Sequence, residues 1–311
     1  MKCKPLVSVV VITYNSSKYI LETLESTRLQ TYQNIELIVS DDCSTDDTVE
    51  ICANWLEQNK KRFLNTEIII PPKNTGVAIN LNRGINNSAG EWIKCLSGDD
   101  ILPQESIEEY IDFVTKNDYK ICCCKLKMFG EDNNYIKKTE IVYNRFYEMI
   151  DRDLAYQKKM NRRHLFIPGP GLFFSKGLFE YIDGFDEKYP FAEEWPFVTK
   201  ILNSGEKINL LDKHLYNYRI RNNSLCREEL GMNKKVFFDM KKYIFDKVIF
   251  NLIENGDILF AWDLCVNYWY LTVKYNSEKN SALYKYANIF RMFSPIACFG
   301  YIKRKIMSHH I

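Results

Sequence analysis

The sequence is poor in histidine. It has 4 among 311 residues, His164, His214, His309 and His310, and none shows a metal-binding spacing such as HExxH. It has no GxGxxG, P-loop or GxSxG motif, which removes the commonest dinucleotide, NTPase and hydrolase readings. It has no charge excess either: 42 basic and 40 acidic side chains leave a net +2. A dedicated nucleic-acid binder carries a basic surplus or stripe, so no nucleic-acid partner is expected. No apolar run approaches the roughly 18 residues that cross a bilayer, so no membrane-spanning helix is expected. The segment Leu6–Ile12 is too short for a signal peptide's core and cleavage region. The 10 cysteines contain no recurring CxxC pair, so neither a zinc site nor a disulfide framework is indicated. Cys122, Cys123 and Cys124 lie in an apolar run that reads as a strand, with alternate thiols on opposite faces. Buried reduced thiols point to a reducing, cytoplasmic compartment.

What is present is core material, 46% hydrophobic and 14% aromatic, over a length of about two domains. Val7–Ile12 is a β-branched run with no polar face, as in a strand buried on both sides. Ile35–Val39, Glu67–Ile70 and Trp92–Leu96 read as three further strands. Between them lie helical patterns with stripes at Ile20 and Leu24, at Val49, Cys52, Ala53 and Leu56, and across Ala78–Ile85. Ser44–Asp47 reads as a capping box, and Pro103 opens a helix with Ile107, Tyr110, Ile111 and Val114 on one face. This alternation predicts an α/β fold with a mostly parallel, doubly wound sheet that binds ligands at its carboxyl strand ends. Three polar clusters sit at such ends: Thr13–Ser17, Asp41–Asp42 and Ser97–Asp100. Beyond Tyr119 the pattern loosens. Strands are expected at Ile121–Met128, Ile208–Leu211 and Leu215–Ile220, a Gly/Pro segment at Ile167–Gly171, a helix from Glu193 through Leu202, and helices alone after Asn233.

Each polar cluster has two readings. Asp41 and Asp42 either cap a helix or accept hydrogen bonds from a ligand. Asp99 and Asp100 either form a polar turn or share a divalent cation, magnesium or manganese, with phosphates. Glu193 and Glu194 either charge a helix start or supply a general base. Arg219 and Arg221, two apart in a strand, either lie on the surface or grip a diphosphate.

The order of the clusters decides between these readings. VSVVVITYN at Val7–Asn15, IELIVSDDCSTDDT at Ile35–Thr48, NTGVAINLNRGI at Asn74–Ile85 and GEWIKCLSGDD at Gly90–Asp100 together resemble the N-terminal half of family 2 glycosyltransferases with the GT-A fold. GFDEKYPFAEEWPF at Gly184–Phe197 and LYNYRIRNNS at Leu215–Ser224 resemble that family's acceptor half. The resemblance implies a GT-A, Rossmann-like sheet with a helical C-terminal extension. It implies a nucleotide-sugar-binding half over 1–118, an acceptor-binding half over 119–228 and a helical region over 229–311. It further implies transfer of a sugar from a nucleotide donor, usually a UDP-sugar, with inversion, and with Mn2+ or Mg2+ as cofactor. Thr13, Tyr14 and Asn15 fall against the nucleotide, Asp41 against the base with Asp42 beside it, and Asn74 and Arg83 near the donor. Asp99 matches the metal-binding aspartate of the D-x-D element, and Asp100 follows it. Glu194 matches the catalytic base, and Gly169, Pro170, Glu193 and Trp195 fall on the acceptor side. Three positions depart from the pattern: Ser97 replaces the first Asp of D-x-D, Glu194 replaces a common Asp, and Arg221 stands where a His is frequent. The last change favours phosphate contact over metal contact, so Ser97, Arg219 and Arg221 join the donor-binding set.

The expected acceptor is a glycan or a lipid-linked hydroxyl in bacterial cell-surface polysaccharide synthesis, such as capsule or O-antigen. Homo-oligomerisation stays open. Leu283, Tyr286, Phe290 and Phe293 repeat at helical spacing, and Lys303-Arg304-Lys305 follows an apolar stretch. That pattern suits either an anionic membrane surface or packing against protein. Two rivals remain: a sugar nucleotidyltransferase, which would place a glycine-rich basic loop after the first strand, and a non-catalytic sugar- or partner-binding protein on the same fold.

Overall fold

The computed structural model describes residues 4–221, 233–277, 281–290 and 294. The chain divides into two compact units, Met1–Asn222 and Asn223–Ile311. In the first, strands and helices alternate as β1 (Val7–Thr13), α1 (Ile20–Arg28), β2 (Ile35–Asp41), α2 (Thr48–Asn59), β3 (Thr66–Ile69), α3 (Val77–Asn86), β4 (Trp92–Ser97) and α4 (Ser106–Asn117). Then follow β5 (Ile121–Gly130), α5 (Asn133–Ile150), α6 (Leu154–Arg163), β6 (Leu172–Ser175), α7 (Lys176–Tyr181), α8 (Glu194–Asn203) and β7 (Asn209–Ile220). The second unit, among the described residues, is helical: α9 (Lys234–Tyr243), a π-helical turn Ile244–Val248, α10 (Ile249–Glu254), α11 (Ile258–Asn276) and α12 (Ala282–Phe290).

All seven strands join one sheet in the order β3-β2-β1-β4-β6-β5-β7. The β1–β2, β1–β4, β2–β3 and β5–β7 pairs are parallel, and β6 alone runs antiparallel to both its neighbours. β1 packs Val7, Val9 and Val11 into one core and Val10 into the other, so its unbroken apolar run follows from burial on both faces. β5 does the same with Cys122 and Cys124 on one side and Cys123 on the other. All three thiols are free and fully buried.

The structure corrects three sequence expectations and adds three helices. Ile208–Leu211 and Leu215–Ile220 belong to one strand, β7, whose register against β5 shifts on either side of the Lys125↔His214 pair to absorb Asp212, Lys213 and Leu215. Ser44 does not cap α2: its hydroxyl serves Asp41, and the Asp46 carboxylate accepts from the Thr48 N–H instead (3.1 Å). Pro103 stands three residues ahead of α4, its carbonyl accepting from the Ser106 N–H. Helices α5, α6 and α7 carry no expectation in sequence, because α5 buries only Tyr147 and Ile150 and α6 only Gln157 and Asn161. Of the C-terminal stripe, Leu283 and Tyr286 are exposed on α12, while the Phe290 side chain, Phe293 and the basic run Lys303–Lys305 lie outside the described residues, as do Asn222–Ser224. No helix among the described residues is long and apolar enough to cross a membrane.

Candidate active site

The loops after β1, β2 and β4 meet at the carboxyl end of the sheet. β1 closes at Thr13, whose carbonyl accepts from the Asp42 N–H (2.8 Å). Thr13 Oγ1 is buried without a hydrogen-bond partner, and a Cβ on Gly98 would stand 2.7 Å from it. Asn15 adopts a left-handed φ of 49°. Its N–H donates to Ser44 Oγ (2.8 Å) and its Oδ1 accepts from the Thr45 N–H (2.8 Å), stapling two loops together. Tyr14, between them, is 48% exposed. The loop therefore turns Thr13 and Asn15 to structure and leaves the Tyr14 ring as its open face.

Asp41 and Asp42 are both buried. Asp41 accepts from the Ser44 N–H (2.7 Å) and hydroxyl. Asp42 accepts from the Thr75 N–H (3.0 Å), the Thr75 hydroxyl (2.6 Å) and the Gly76 N–H (2.8 Å). Its carboxylate shapes the 74–76 turn, so the structure gives it a structural role at the place where donor contact is expected. Arg83 is drawn into the same cluster, pairing with Asp42 (3.5 Å) and donating to Thr75 Oγ1 (2.6 Å) and Asn80 Oδ1 (2.9 Å). Asn74 is exposed at the tip of that turn.

At the end of β4 the acidic pair splits. Asp100 turns inward, accepting from the Tyr216 hydroxyl (2.7 Å) and the Arg219 N–H (2.7 Å). At 1% exposure it holds β7 to the β4 loop. Asp99 pairs through Oδ2 with Arg221 Nε (2.6 Å). Burial pushes both carboxyls above the usual range, Asp100 further because Asp99 is beside it. Arg219 is also committed: it donates to the Asp99 carbonyl (2.7 Å) and Glu22 (2.8 Å), between the rings of Tyr19 and Phe129 (4.7 and 4.5 Å). The expected two-arginine grip therefore reduces to Arg221, one residue beyond β7. Among the described residues, no group of three or more His, Cys, Asp or Glu side chains is placed to hold a metal. One carboxylate at a strand end fits magnesium or manganese only where donor phosphates complete the shell.

Across the strand ends stands Glu194, the first residue of α8. It lines a cavity of about 100 Å³ with Cys95, Ser97, Gly169, Pro170, Glu193 and Tyr216. Burial, then the neighbouring Glu193, raise its pKa to about 8, opposed by the Gly169 N–H donated to it. Ser97 is held by its N–H to the Tyr216 oxygen (3.2 Å). Gly169 opens a 3-10 turn to Gly171. Trp195 departs from the acceptor-side expectation: it is 4% exposed, and its indole N–H donates to the Asn161 carbonyl (2.7 Å), pinning α6 to α8.

Sequence reasoning missed Lys94, Tyr216 and Thr75. Lys94 carried a signal, a lysine inside an otherwise apolar strand. Tyr216 and Thr75 carried none, because their partners lie 116 and 33 residues away.

Known proteins resemble the chain in sequence and in fold. The chain is 32% identical over 241 residues to glycosyltransferase GlyG of Streptococcus pneumoniae serotype 4, covering 73% of this chain and 75% of GlyG. It is 25% identical over 258 residues to the minor teichoic acid biosynthesis protein GgaB of Bacillus subtilis, covering 80% of this chain but 27% of GgaB. S. aureus TarS 1-349 in complex with UDP-GlcNAc superposes with a TM-score of 0.61 at 21% identity, over 93% of this chain and 82% of that one. The mannosyltransferase PcManGT from Pyrobaculum calidifontis, in complex with GDP-Man and Mn2+, gives 0.58 at 16%, over 96% and 87%. These two show the GT-A, Rossmann-like fold. The model of glycosyl transferase family 2 matches residues 8–182, more than half of the sequence, and the chain belongs to that family.

Proposed function

We propose that this family 2 glycosyltransferase moves a sugar, with inversion, from a nucleotide donor of the UDP class to a hydroxyl of a glycan or lipid-linked acceptor in bacterial surface-polysaccharide synthesis. The observation that carries the reading is Glu194, a carboxylate beside Glu193 in a cavity at the end of β4, with a proton affinity matched to general base work near neutral pH. UDP-GlcNAc bound to TarS supports the donor class, and the teichoic acid role in GgaB's name supports the acceptor class.

In this reading the exposed Tyr14 ring and Asp41 receive the nucleotide base, and Asn74 borders the donor. The acceptor oxygen attacks the anomeric carbon as the carbon–oxygen bond to the β-phosphate breaks. Glu194 takes the hydroxyl proton, and the diphosphate leaves with the electron pair. Asp99 would hold the divalent ion, whose chemistry is to neutralise charge on the leaving diphosphate. Arg221, already paired with Asp99, stands where it can turn to those phosphates.

The purified chain should hydrolyse or transfer from one UDP-sugar in a panel with manganese. Glu194→Gln should bind that donor, seen as a raised melting temperature, yet lose transfer. Full transfer by that variant would move the base elsewhere. Binding of no nucleotide sugar would favour the non-catalytic rival. We also read the second unit as a peripheral membrane contact, supported by its exposed Trp262, Trp269 and Tyr286. Unchanged co-sedimentation on anionic vesicles after Trp262→Ala, Trp269→Ala and Tyr286→Ala together would reject that contact.

A further inference from the structure

Lys94 sits in the middle of β4 and is fully buried. Its ammonium donates to the carbonyl of Pro170 (2.6 Å) and the carbonyl of Leu172 (3.0 Å). No acidic side chain pairs with it among the described residues. The rings of Tyr110 and Tyr216 stand 4.9 and 4.8 Å from the nitrogen. Its location explains the contacts. β4 pairs with β6 only at Trp92↔Ser175 and Ile93↔Phe174, and beyond Ile93 the two strands part. Their parting opens the cavity lined by Cys95, Ser97, Gly169 and Glu194. Lys94 is the first residue past the last pair, and its amine reaches across the opening in place of the missing ladder.

A methionine would fill this space without the cost of burying an ammonium. What the lysine adds is direction: two hydrogen bonds that fix the Gly169–Gly171 turn at one height. Gly169 in turn donates its N–H to Glu194. On the other side the Tyr216 ring beside the amine carries the hydroxyl that holds Asp100 and Ser97. One buried amine thus underlies both walls of the site. We propose that Lys94 is a positioning residue for transfer, holding the turn that places the Glu194 carboxylate. The inference rests on the reading of Glu194 as base. Burial lowers the amine's own pKa, in keeping with an interior role rather than contact with solvent.

The test is Lys94→Met, which keeps an unbranched apolar side chain and removes the donors, with Lys94→Gln, of the same length as methionine, which retains a donating NH2. In Lys94→Met, kcat should fall about tenfold or more while the donor KM stays within about twofold. The acidic limb of kcat/KM should move upward from about 8, because the turn no longer presents the Gly169 N–H that opposes the rise. Lys94→Gln should lie between the two. A readout independent of turnover is the melting-temperature difference between each protein and its E194Q partner, followed from pH 5 to 10: its inflection should shift upward in the K94M background. Lost thermal stability with unmoved kcat, pH limb and inflection would make Lys94 merely structural and overturn the proposal. Should E194Q retain transfer, the base reading falls, and the inflection alone then decides whether Lys94 governs that carboxylate.

Discussion

A β-carbon on Gly169 would lie 2.3 Å from Oε1 of Glu194. The carboxylate therefore occupies the space that any other residue at 169 would need, and the two positions are sterically linked. In Gly169→Ala the carboxylate must swing away or the turn must lift. A displacement near 1 Å at a reacting group costs roughly 100-fold in rate. Gly169→Ala should lose about that much kcat, and circular dichroism should show a native fold. Unchanged kcat would show that the carboxylate has room to spare.

The raised pKa of Glu194 makes transfer pH-dependent in a definite direction. A base works when ionised, so kcat/KM should climb with pH and level off above about 8. The groups that face it are Glu193 just ahead of its own helix, Cys95 and Tyr216 across the cavity and Cys123 on β5. Of these Glu193 is the acid whose charge raises the value, second to burial. Glu193→Gln should lower the midpoint of the limb, which initial rates from pH 5 to 10 will locate.

Stability should run the opposite way. Folding raises the Glu194 pKa above its unfolded value, so the folded state binds the extra proton. That contribution is present below the ordinary carboxylate range and is lost as pH rises through about 8. Glu194→Gln cannot ionise. Its melting temperature should match the parent near pH 5 and exceed it at pH 9, a comparison that needs no substrate.

Asp42 supplies a structural prediction at the same site. Its carboxylate receives three hydrogen bonds from Thr75 and Gly76 and pairs with Arg83. Asp42→Ala leaves those donors and the guanidinium without their acceptor, at a cost of about 3 kcal/mol. Urea unfolding should register that loss, whereas Asn74→Ala at the exposed tip should alter donor KM with little change in midpoint.

Divalent ions should matter through Asp99 alone. EDTA should abolish transfer and manganese should restore it, while Asp99→Ala should not recover at any manganese concentration. Arg221→Met removes the partner of Asp99 and should weaken donor binding in isothermal titration. Metal-independent turnover would assign the leaving-group charge to Arg221 instead.

Much of this organisation was legible in sequence where burial writes a simple pattern. β1, β2 and β4 are short, mainly apolar runs because both faces are covered, and the helices between the strands carry one apolar stripe. The clusters at their ends were legible as a set. The division of labour within each pair was not. Whether Asp99 or Asp100 turns inward depends on Tyr216, and what Asp42 holds depends on Thr75, partners far away in the chain. The bulge in β7 was hidden because Asp212-Lys213-His214 resembles a loop until β5 lies beside it.

The three adjacent thiols of β5 have one more consequence. Cys122 and Cys124 are sealed on one side of the sheet and Cys123 on the other, and burial pushes all three thiols up, away from the reactive thiolate. An alkylating reagent can meet them only when the central sheet opens, whereas half-buried Cys43 is within reach of the native protein. The rate at which this tripeptide takes up label is therefore a clock for global opening, written into the chain without an added probe.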